Sequence, residues 1–473
     1  MWRAAPLAGR FARAAFASAA AALVVSQAPT AVVAAEWSGR LEGHGGPVKS
    51  IVLSRDETRA LSASFDYSVI LWQRQDQGAG VVHRLIGHDA PVNDVRFLPA
   101  DRAVSVGDDG AILLWGLGTG QVLDRVDTGE EKLIQVRAAP DGNFVVAASW
   151  DHTARVFALA GDRLVEAPRL EGHRGPVNAV AITPDGAGVY TAAYDGGIRL
   201  FDRATGGLLR EVYRHGWGVN VLALTGDGRR LVFGAADGTL AVLDPLSGEI
   251  VKQLASHTRP VLALALSADG RRLAGGGGDG AIRVYATDDW HLLEAYDNPH
   301  GPVWGLALNR DGRRALHVGL DDHVSVWQVN PRVAFDDSGQ SAPRRFQVGE
   351  TGDPGARQFA RKCSVCHTLT PADGNRAGPT LHGLFGRRAG SLPGYPYSKA
   401  LREAGFIWTE ETVSDLFARG PDLVTPGSKM PLQRLTDQEE RRALVAYLKR
   451  ATAPKGMPAP GQPPAGQAED ERR

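Results

Sequence analysis

The sequence predicts two folded domains of different class, an all-β domain built from repeated units followed by a small all-α domain. One pattern returns seven times, with a period of about 42 residues, between positions 36 and 328. Segments with helical spacing of apolar residues follow between positions 351 and 452. At 473 residues, the chain is long enough for each domain to bury its own core.

The first 35 residues resemble a secretory signal. Arg3, Arg10 and Arg13 precede an apolar run from Ala14 to Val25, and small residues end the segment before Glu36. We expect export to the bacterial periplasm, with cleavage before Glu36. Because no acidic residue precedes Glu36, a mitochondrial (intermembrane-space) protein is the alternative. The apolar run is too short to predict a membrane span and no later stretch qualifies, although an uncleaved anchor remains an alternative.

The repeat is marked by an Asp that lies six residues before an aromatic or large apolar residue. The pairs are Asp66 and Trp72, Asp109 and Trp115, Asp151 and Phe157, Asp195 and Phe201, Asp237 and Leu243, Asp279 and Tyr285, and Asp321 and Trp327. A His stands 21 or 22 residues before six of these Asp residues: His44, His88, His173, His215, His257 and His300. The third unit departs from the pattern, with Gly129 in the His position.

This pattern resembles the WD-repeat family, including the pairs Gly43-His44, Gly87-His88 and Gly172-His173. The resemblance covers residues 36–328 and implies an all-β seven-bladed propeller with four strands per blade. It also implies that the segment from Trp37 to Leu41 completes the last blade. In the family the repeated His and Asp form buried hydrogen bonds, so we interpret them as structural rather than catalytic or metal-binding.

Other features of the repeat region carry no predicted chemistry. His83, His152, His291, His317 and His323 fall outside the register of the repeat, and we expect them at the surface or in turns. The run Gly275 to Gly278 indicates a tight turn. It is not interpreted as a phosphate loop, because such a loop would require a Gly-Lys-Ser/Thr that is absent here.

The composition of the remaining segments divides the C-terminal part of the chain into three. Residues 329–350 have the composition of a polar linker, and residues 453–473 that of a disordered tail rich in Pro and Gly. Between them, Asp353 to Lys362, Thr409 to Arg419 and Thr436 to Arg450 are predicted helices. The last opens with Thr436-Asp437-Gln438-Glu439, which has the form of a capping box.

The two cysteines of the chain occur in one pentapeptide, Cys363-Ser364-Val365-Cys366-His367. Two cysteines separated by two residues and followed by His are typical of covalent c-type haem attachment. A zinc site would need four ligands, and the chain has no second Cys pair. A redox dithiol or a disulfide would not need the adjacent His. We therefore predict one covalently bound haem c, with His367 as a ligand of the iron.

Met430 is the candidate for the second axial ligand. Met1 would be lost with the signal segment and Met457 lies in the tail, so no other Met competes. A thioether opposite a His favours reduced iron and raises the reduction potential. A single Met is also common as core filler, so the residue alone leaves both interpretations open.

Residues 351–452 resemble class I cytochrome c of the mitochondrial and bacterial soluble type. The matching elements are Gly355, Phe359, the Cys363 pentapeptide, Gly378-Pro379, residues 381–387 and 394–398, Trp408, residues 426–430 and residues 446–448. The resemblance implies that Pro379 accepts a hydrogen bond from His367 and that Arg387, Tyr397 and Trp408 bind a haem propionate. It also implies that Gly355 and Phe359 let the first helix cross the last at Leu444 and Tyr447.

One position departs from the family. The Tyr that often stands beside the Met ligand is replaced here by Leu416, which puts the hydrogen bonding of the Met sulfur in doubt.

Charge divides unevenly between the two predicted domains. Residues 351–450 carry 15 Lys and Arg against 10 Asp and Glu, while the whole chain is neutral and residues 36–328 carry about −8. The neutral whole gives no indication of nucleic-acid binding. By resemblance, Lys362, Arg376 and Lys429 would steer redox partners with an acidic docking face.

These observations favour an exported c-type cytochrome that carries one electron, with the propeller as a protein-docking scaffold. One alternative is a haem-containing oxidoreductase whose propeller binds a substrate or second cofactor. Another is an intramolecular complex in which the acidic propeller covers the basic haem edge. No catalytic residue is predicted, so electron transfer is favoured over catalysis.

Overall fold

The structure is a computed structural model. It describes residues 36–76, 78–129, 131–298, 301–331, 353–364, 366–371, 378–395, 397, 399–425, 430, 435 and 437–453. The predicted signal segment, most of the predicted linker, the tail, His300, Arg376 and Lys429 lie outside these residues.

Residues 40–328 form seven antiparallel four-stranded sheets, which are the blades of a propeller. Blades 1 to 3 contain β2 to β13: Val48–Leu53, Arg59–Ser64, Ser68–Arg74, Ala79–Ile86; Val92–Leu98, Arg102–Gly107, Ala111–Gly116, Gln121–Asp127; Leu133–Ala138, Phe144–Ser149, Ala154–Ala160, Arg163–Glu166. Blades 4 to 6 contain β14 to β25: Val177–Ile182, Gly188–Ala193, Gly197–Asp202, Leu208–Arg214; Val219–Leu224, Leu231–Ala235, Leu240–Leu243, Ile250–Gln253; Val261–Leu266, Arg272–Gly277, Ala281–Ala286, Leu292–Asp297. The seven-bladed fold predicted from the repeat is confirmed.

Blade 7 is completed by the start of the chain. Its strands are β26 (Val303–Leu308), β27 (Arg314–Gly319), β28 (His323–Gln328) and β1 (Arg40–Glu42). Leu41 of β1 pairs with Val324 of β28. The expectation that the first segment completes the last blade is therefore confirmed. The pairing joins the two ends of the ring and gives β28 an outer neighbour.

Apolar packing holds neighbouring blades together. Leu61 and Leu71 of blade 1 share one buried cluster with Val95 and Leu113 of blade 2. The fourth strand of a blade is far more exposed than the second; all four residues of β21 are exposed, whereas β19 of the same blade is entirely buried. Each blade thus buries its inner strands between two neighbours, and burial of this apolar surface is the main stabilising contribution to the ring.

The repeated His and Asp make the hydrogen bonds expected of a structural network. In blade 1, His44 Nδ1 lies 2.9 Å from Asp66 and its Nε2 lies 2.7 Å from the Ser62 hydroxyl. The indole of Trp72 donates to the same hydroxyl over 2.8 Å. Blade 2 repeats the arrangement with its own His, Asp, Ser and Trp. Each of these buried polar groups has a partner, so hydrogen bonds offset the cost of desolvation while the network fixes the blade turns.

Blade 3, which lacks the His, uses an arginine instead. Arg155 donates to the Asp151 carboxylate over 2.6 Å and to the Thr128 carbonyl over 2.9 Å. One guanidinium therefore joins the Asp of the repeat to the segment in which the other blades place their His.

The expectation that His317 lies at the surface or in a turn is wrong. Its side chain is buried in β27, with its ring centroid 5.8 Å from that of Tyr296. His317 is the fourth residue of the second strand of its blade, the position that the buried Ser62 holds in blade 1. Its place in the strand, rather than the register of the repeated His, therefore decides its burial.

The described residues of the C-terminal domain form five helices. They are α1 (Pro354–Lys362), α2 (Lys399–Glu403), α3 (Glu410–Arg419), α4 (Pro421–Val424) and α5 (Gln438–Ala451). α5 begins later than expected, because its N-cap is Asp437, whose carboxylate accepts from the amides of Glu439 and Glu440. Among the helices of the described residues, none combines the length and the apolar character that a membrane crossing requires.

Helices α1 and α5 cross at a glycine. A Cβ on Gly355 would lie 2.1 Å from the Ala443 carbonyl oxygen and 2.6 Å from the Tyr447 Cβ, so only Gly allows this approach. The rings of Phe359 and Tyr447 pack nearby, with centroids 5.8 Å apart. The crossing brings the end of α1, where the cysteines begin, against the domain core.

Candidate haem site

The cysteine pair lies in a turn that continues directly from α1. Cys363 caps the helix, and the amide of His367 donates to the Cys363 carbonyl over 2.8 Å. This turn brings Cys363, Cys366 and His367 to the wall of a single cavity. The two cysteines do not form a disulfide.

The cavity is large and mainly apolar. Together with the space in its open mouth, it has a volume of about 1080 Å³, and a mainly apolar lining is typical of a cofactor site. Its apolar wall consists of Leu381, Leu384, Leu401, Val413, Leu416, Phe417 and Leu448. Leu416, the position that departs from the family, is therefore part of this wall and offers no hydroxyl to a neighbour.

The orientation of His367 is fixed by its neighbours. Its Nδ1 lies 2.8 Å from the Pro379 carbonyl oxygen, so Nδ1 carries the proton and the lone pair is on Nε2, the nitrogen suited to bind a metal. A Cβ on Gly378 would lie 2.3 Å from the ring. The chain thus leaves space for the imidazole at the position where any other residue would displace it.

Met430 lines the same cavity and is half-buried. The donor set of two thiols, one imidazole and one thioether fits a c-type haem. A structural zinc site needs four Cys, His or carboxylate ligands, and among the described residues only three residues of these types line the cavity, Cys363, Cys366 and His367. The residues present therefore fit covalent haem.

Polar side chains line another part of the cavity. Arg387 donates to the carbonyls of His382 and Thr380 over 3.0 and 2.9 Å, and burial lowers its pKa. Tyr397 and Trp408 line the cavity with it. Burial raises the pKa of Tyr397, so its phenol remains a proton donor at neutral pH. The structure thus brings together the three residues predicted at a haem propionate.

One of the lining residues belongs to the propeller, and a contribution from that domain was not predicted. Tyr67, in the turn between β3 and β4 of the propeller, lines the cavity together with residues of the helical domain. The sequence marks this position only as unusual, because four other repeats have Gly at the same place in the turn. Of the predicted partner contacts, Lys362 is half-buried at the end of α1, while Arg376 and Lys429 lie outside the described residues.

Comparison with known proteins agrees with this site. Residues 352–452 match the cytochrome c family model. Cytochrome c of Sesamum indicum is 44% identical over 99 residues, which are 21% of this chain and 88% of that protein. The chain belongs to the cytochrome c family. Cytochrome c of Chlamydomonas reinhardtii is 43% identical over 110 residues (23% of this chain, 97% of that protein), and cytochrome c2 of Blastochloris viridis is 37% identical over 112 residues (24% and 84%).

The propeller matches a second family model, the WD domain or G-beta repeat, over residues 36–73, 80–116, 127–157, 166–202 and 248–286. The cytochrome c domain binds haem c covalently and transfers electrons through it, and a propeller of this family indicates interaction with other proteins.

Proposed function

We propose that the protein is an exported electron-transfer protein whose cytochrome c domain carries one electron and whose propeller docks a redox partner. The proposal of electron transfer rests on one observation: Cys363, Cys366, His367 and Met430 line a single apolar cavity. A His and a Met in one cavity could both ligate a haem iron, and an iron held by two protein ligands would suit electron transfer rather than substrate binding at the metal.

Different residues of the cavity would hold different parts of the haem. The thiols of Cys363 and Cys366 would each add across a vinyl group, while His367 Nε2 and the Met430 sulfur would ligate the iron. Bound haem supplies the reversible change between Fe(II) and Fe(III). The Pro379 carbonyl holds the His367 ring in place, and the apolar wall excludes water. Arg387, Tyr397 and Trp408 would contact a propionate.

Three exposed aromatic side chains support docking by the propeller. Trp150 is 39% exposed, Tyr194 68% and Trp217 64%. Trp150 and Tyr194 occupy equivalent turns of blades 3 and 4, each directly before the repeated Asp. A Cβ on Gly218 would lie 3.2 Å from the Tyr194 ring, so the residue that directly follows Trp217 packs against Tyr194. We call the three residues the aromatic patch.

Such a patch is typical of a protein-binding surface. Exposed Trp and Tyr are enriched among the residues that contribute most to protein–protein binding. The ammonium of Lys132 lies 5.4 Å from the Trp150 ring and pairs with Asp108 over 2.7 Å, so the two charged groups give the patch a polar edge. We expect the partner to be a redox protein that covers the patch with an apolar surface.

The alternative, a propeller that binds a second cofactor, has weaker support. In the described part of the chain, one group of side chains is close enough to share a metal ion, Asp288, Asp289 and His291, and all three are exposed. Exposed acidic groups of this kind are common without a metal. A second chromophore in the absorption spectrum of the purified protein would reverse this preference.

The docking proposal is tested with full-length holoprotein in which Trp150, Tyr194 and Trp217 are changed to Ala. We expect about tenfold slower electron exchange with the redox partner isolated from the exported fraction of the source cells, because losing about 1.4 kcal/mol of binding reduces affinity tenfold. The haem potential should not change. An unchanged exchange rate would refute docking at the patch.

A matched control removes exposed apolar side chains from another part of the propeller. Leu209 and Leu246 are 58% and 83% exposed on other parts of blades 4 and 5, and the double Ala variant should exchange electrons at the normal rate. Export is tested separately by cell fractionation: the full chain should reach the periplasm, whereas a chain without residues 1–35 should remain in the cytoplasm.

A further inference from the structure

The turn between β3 and β4 of blade 1 has an unusual residue at its tightest position. Tyr67 has a φ of +68°, in the left-handed region that side chains other than Gly rarely adopt. Four other blades place Gly at this position, Gly110, Gly196, Gly238 and Gly280, all with positive φ. The repeat therefore favours Gly here, and blade 1 has a bulky ring in a strained backbone conformation.

The surrounding blade holds the Tyr67 turn rigidly. The Tyr67 amide donates to the Ser64 carbonyl over 3.2 Å, and the Ser68 amide donates to the Asp66 carboxylate over 3.0 Å. Asp66 is itself fixed by His44 at 2.9 Å. Strained residues persist where the structure around them over-determines their conformation, and they concentrate at functional sites.

The side chain of Tyr67 reaches the haem cavity. It lines the wall with Cys366, whereas His152, at the same turn position of blade 3 with a φ of +72°, is exposed. Burial raises the pKa of the Tyr67 phenol, and the Cys366 thiol and the Tyr395 phenol act in the same direction because they lie close to it. Two turns with the same backbone thus have different surroundings, and one of them adjoins the haem site.

We propose that Tyr67 is a haem-pocket residue supplied by the propeller, which closes the cavity beside Cys366 and shields that side of the haem from water. Water stabilises the more highly charged oxidised centre, so shielding raises the reduction potential and restricts small oxidants. The inference rests on the haem site of the proposed function, but it does not depend on docking at the aromatic patch.

The test compares full-length holoprotein variants Tyr67→Gly, Tyr67→Phe and His152→Gly. Two quantities are measured: the midpoint potential, and the second-order rate of oxidation by ferricyanide at high ionic strength. Tyr67→Gly should lower the potential and speed oxidation about threefold or more, because it exposes the haem to water and to the oxidant. Gly is the residue of four equivalent turns, so this variant should fold, with a propeller melting temperature no lower than that of the unsubstituted protein.

The other two variants distinguish the effect of the Tyr67 ring from the effect of the strained turn. Tyr67→Phe keeps the ring and should retain both the potential and the oxidation rate. His152→Gly relieves the same backbone strain away from the haem and should also leave the potential and the oxidation rate unchanged. The proposal is overturned if Tyr67→Gly leaves both quantities unchanged, or if Tyr67→Phe changes them as much as Tyr67→Gly does.

The experiment also distinguishes this proposal from the function on which it rests. If the cavity did not hold haem, no variant would show a haem spectrum or a potential. If docking at the aromatic patch failed, exchange with the partner protein would be insensitive to the patch, while the effect of Tyr67→Gly on the potential would persist.

Discussion

Gly378 shows how a single missing side chain sets the geometry of the haem site. The His367 ring occupies the space where a Cβ would lie, with the nearest ring atom 2.3 Å from that position. The Gly378 amide also donates to the Cys366 carbonyl over 2.7 Å, which ties this part of the chain to the cysteine turn. The residue thus helps to place the imidazole even though it contributes no functional group.

A Gly378→Ala variant should displace the ring of His367, which we propose as an iron ligand. The methyl group cannot be accommodated unless the His367 ring moves and its hydrogen bond to the Pro379 carbonyl lengthens. We expect a lower haem-to-protein ratio and a loss of about 1–3 kcal/mol in stability, the usual cost of overpacking. Absorption spectroscopy and thermal unfolding measure both.

Gly383→Ala is the control for that variant. Gly383 has a positive φ, but a methyl group added there would meet nothing within 4 Å, so its substitution strains the backbone without touching His367. Normal haem content in Gly378→Ala would contradict the role assigned to this close approach.

At the scale of a strand, blade 6 shows what happens when one member of the polar network is missing. In blades 1, 2 and 4 the Nε2 of the repeated His bonds a Ser or Thr hydroxyl on the second strand. Blade 6 has Gly275 at that place, in β23 rather than in the expected tight turn. Among the described residues, His257 Nε2 finds no hydrogen-bond partner. The blade therefore carries a buried polar atom whose desolvation is not offset.

Gly275→Ser should stabilise the protein by restoring the hydroxyl. A Cβ at this position would lie 3.8 Å from His257 Nε2, within reach of a Ser Oγ, and Leu240 needs only a small shift from 3.0 Å. Gly275→Ala adds the same Cβ without the hydroxyl. We expect the Ser variant to exceed the Ala variant by about 1 kcal/mol in free energy of unfolding, measured by denaturant titration. Equal stability of the two variants would rule out the hydrogen bond.

At the scale of the whole molecule, ring closure depends on residues from the two ends of the repeat region. Leu41 of β1 is fully buried in a cluster with Trp37, Val48 of blade 1 and Leu316 of blade 7. This cluster holds β1 against blades 1 and 7 at the point where the ring closes. A change there should therefore act on all seven blades.

Leu41→Ala should weaken the entire propeller. Removing a fully buried Leu side chain costs about 2–5 kcal/mol, and opening the ring exposes the edges of β28 and β1. Thermal unfolding followed in the β-sheet signal should shift to lower temperature. Leu209→Ala, which shortens an exposed Leu on β17, serves as the control and should unfold like the unsubstituted protein. A local effect confined to blade 7 would contradict closure as a global constraint.

Much of this architecture could be predicted from the sequence because it repeats or because it is local. The spacing of Asp66 and Trp72, repeated through Asp321 and Trp327, predicted seven blades, and the Cys363 pentapeptide predicted the haem. The start of α5 was displaced, since Thr436 and Asp437 both have side chains able to cap a helix and only the folded backbone selects between them. The burial of His317 was missed because it lacks the repeat's His register.

The sequence by itself determined the two domain classes and their order, and it supplied the prediction of which residues hold the haem, because periodic patterns and short motifs encode local geometry. Only the tertiary structure decided that Tyr67, about 300 positions before Cys366, lines the same cavity. It also decided that Gly378 leaves the space for the His367 ring. Both depend on distances between residues of different segments, and these are set by packing rather than by spacing along the chain.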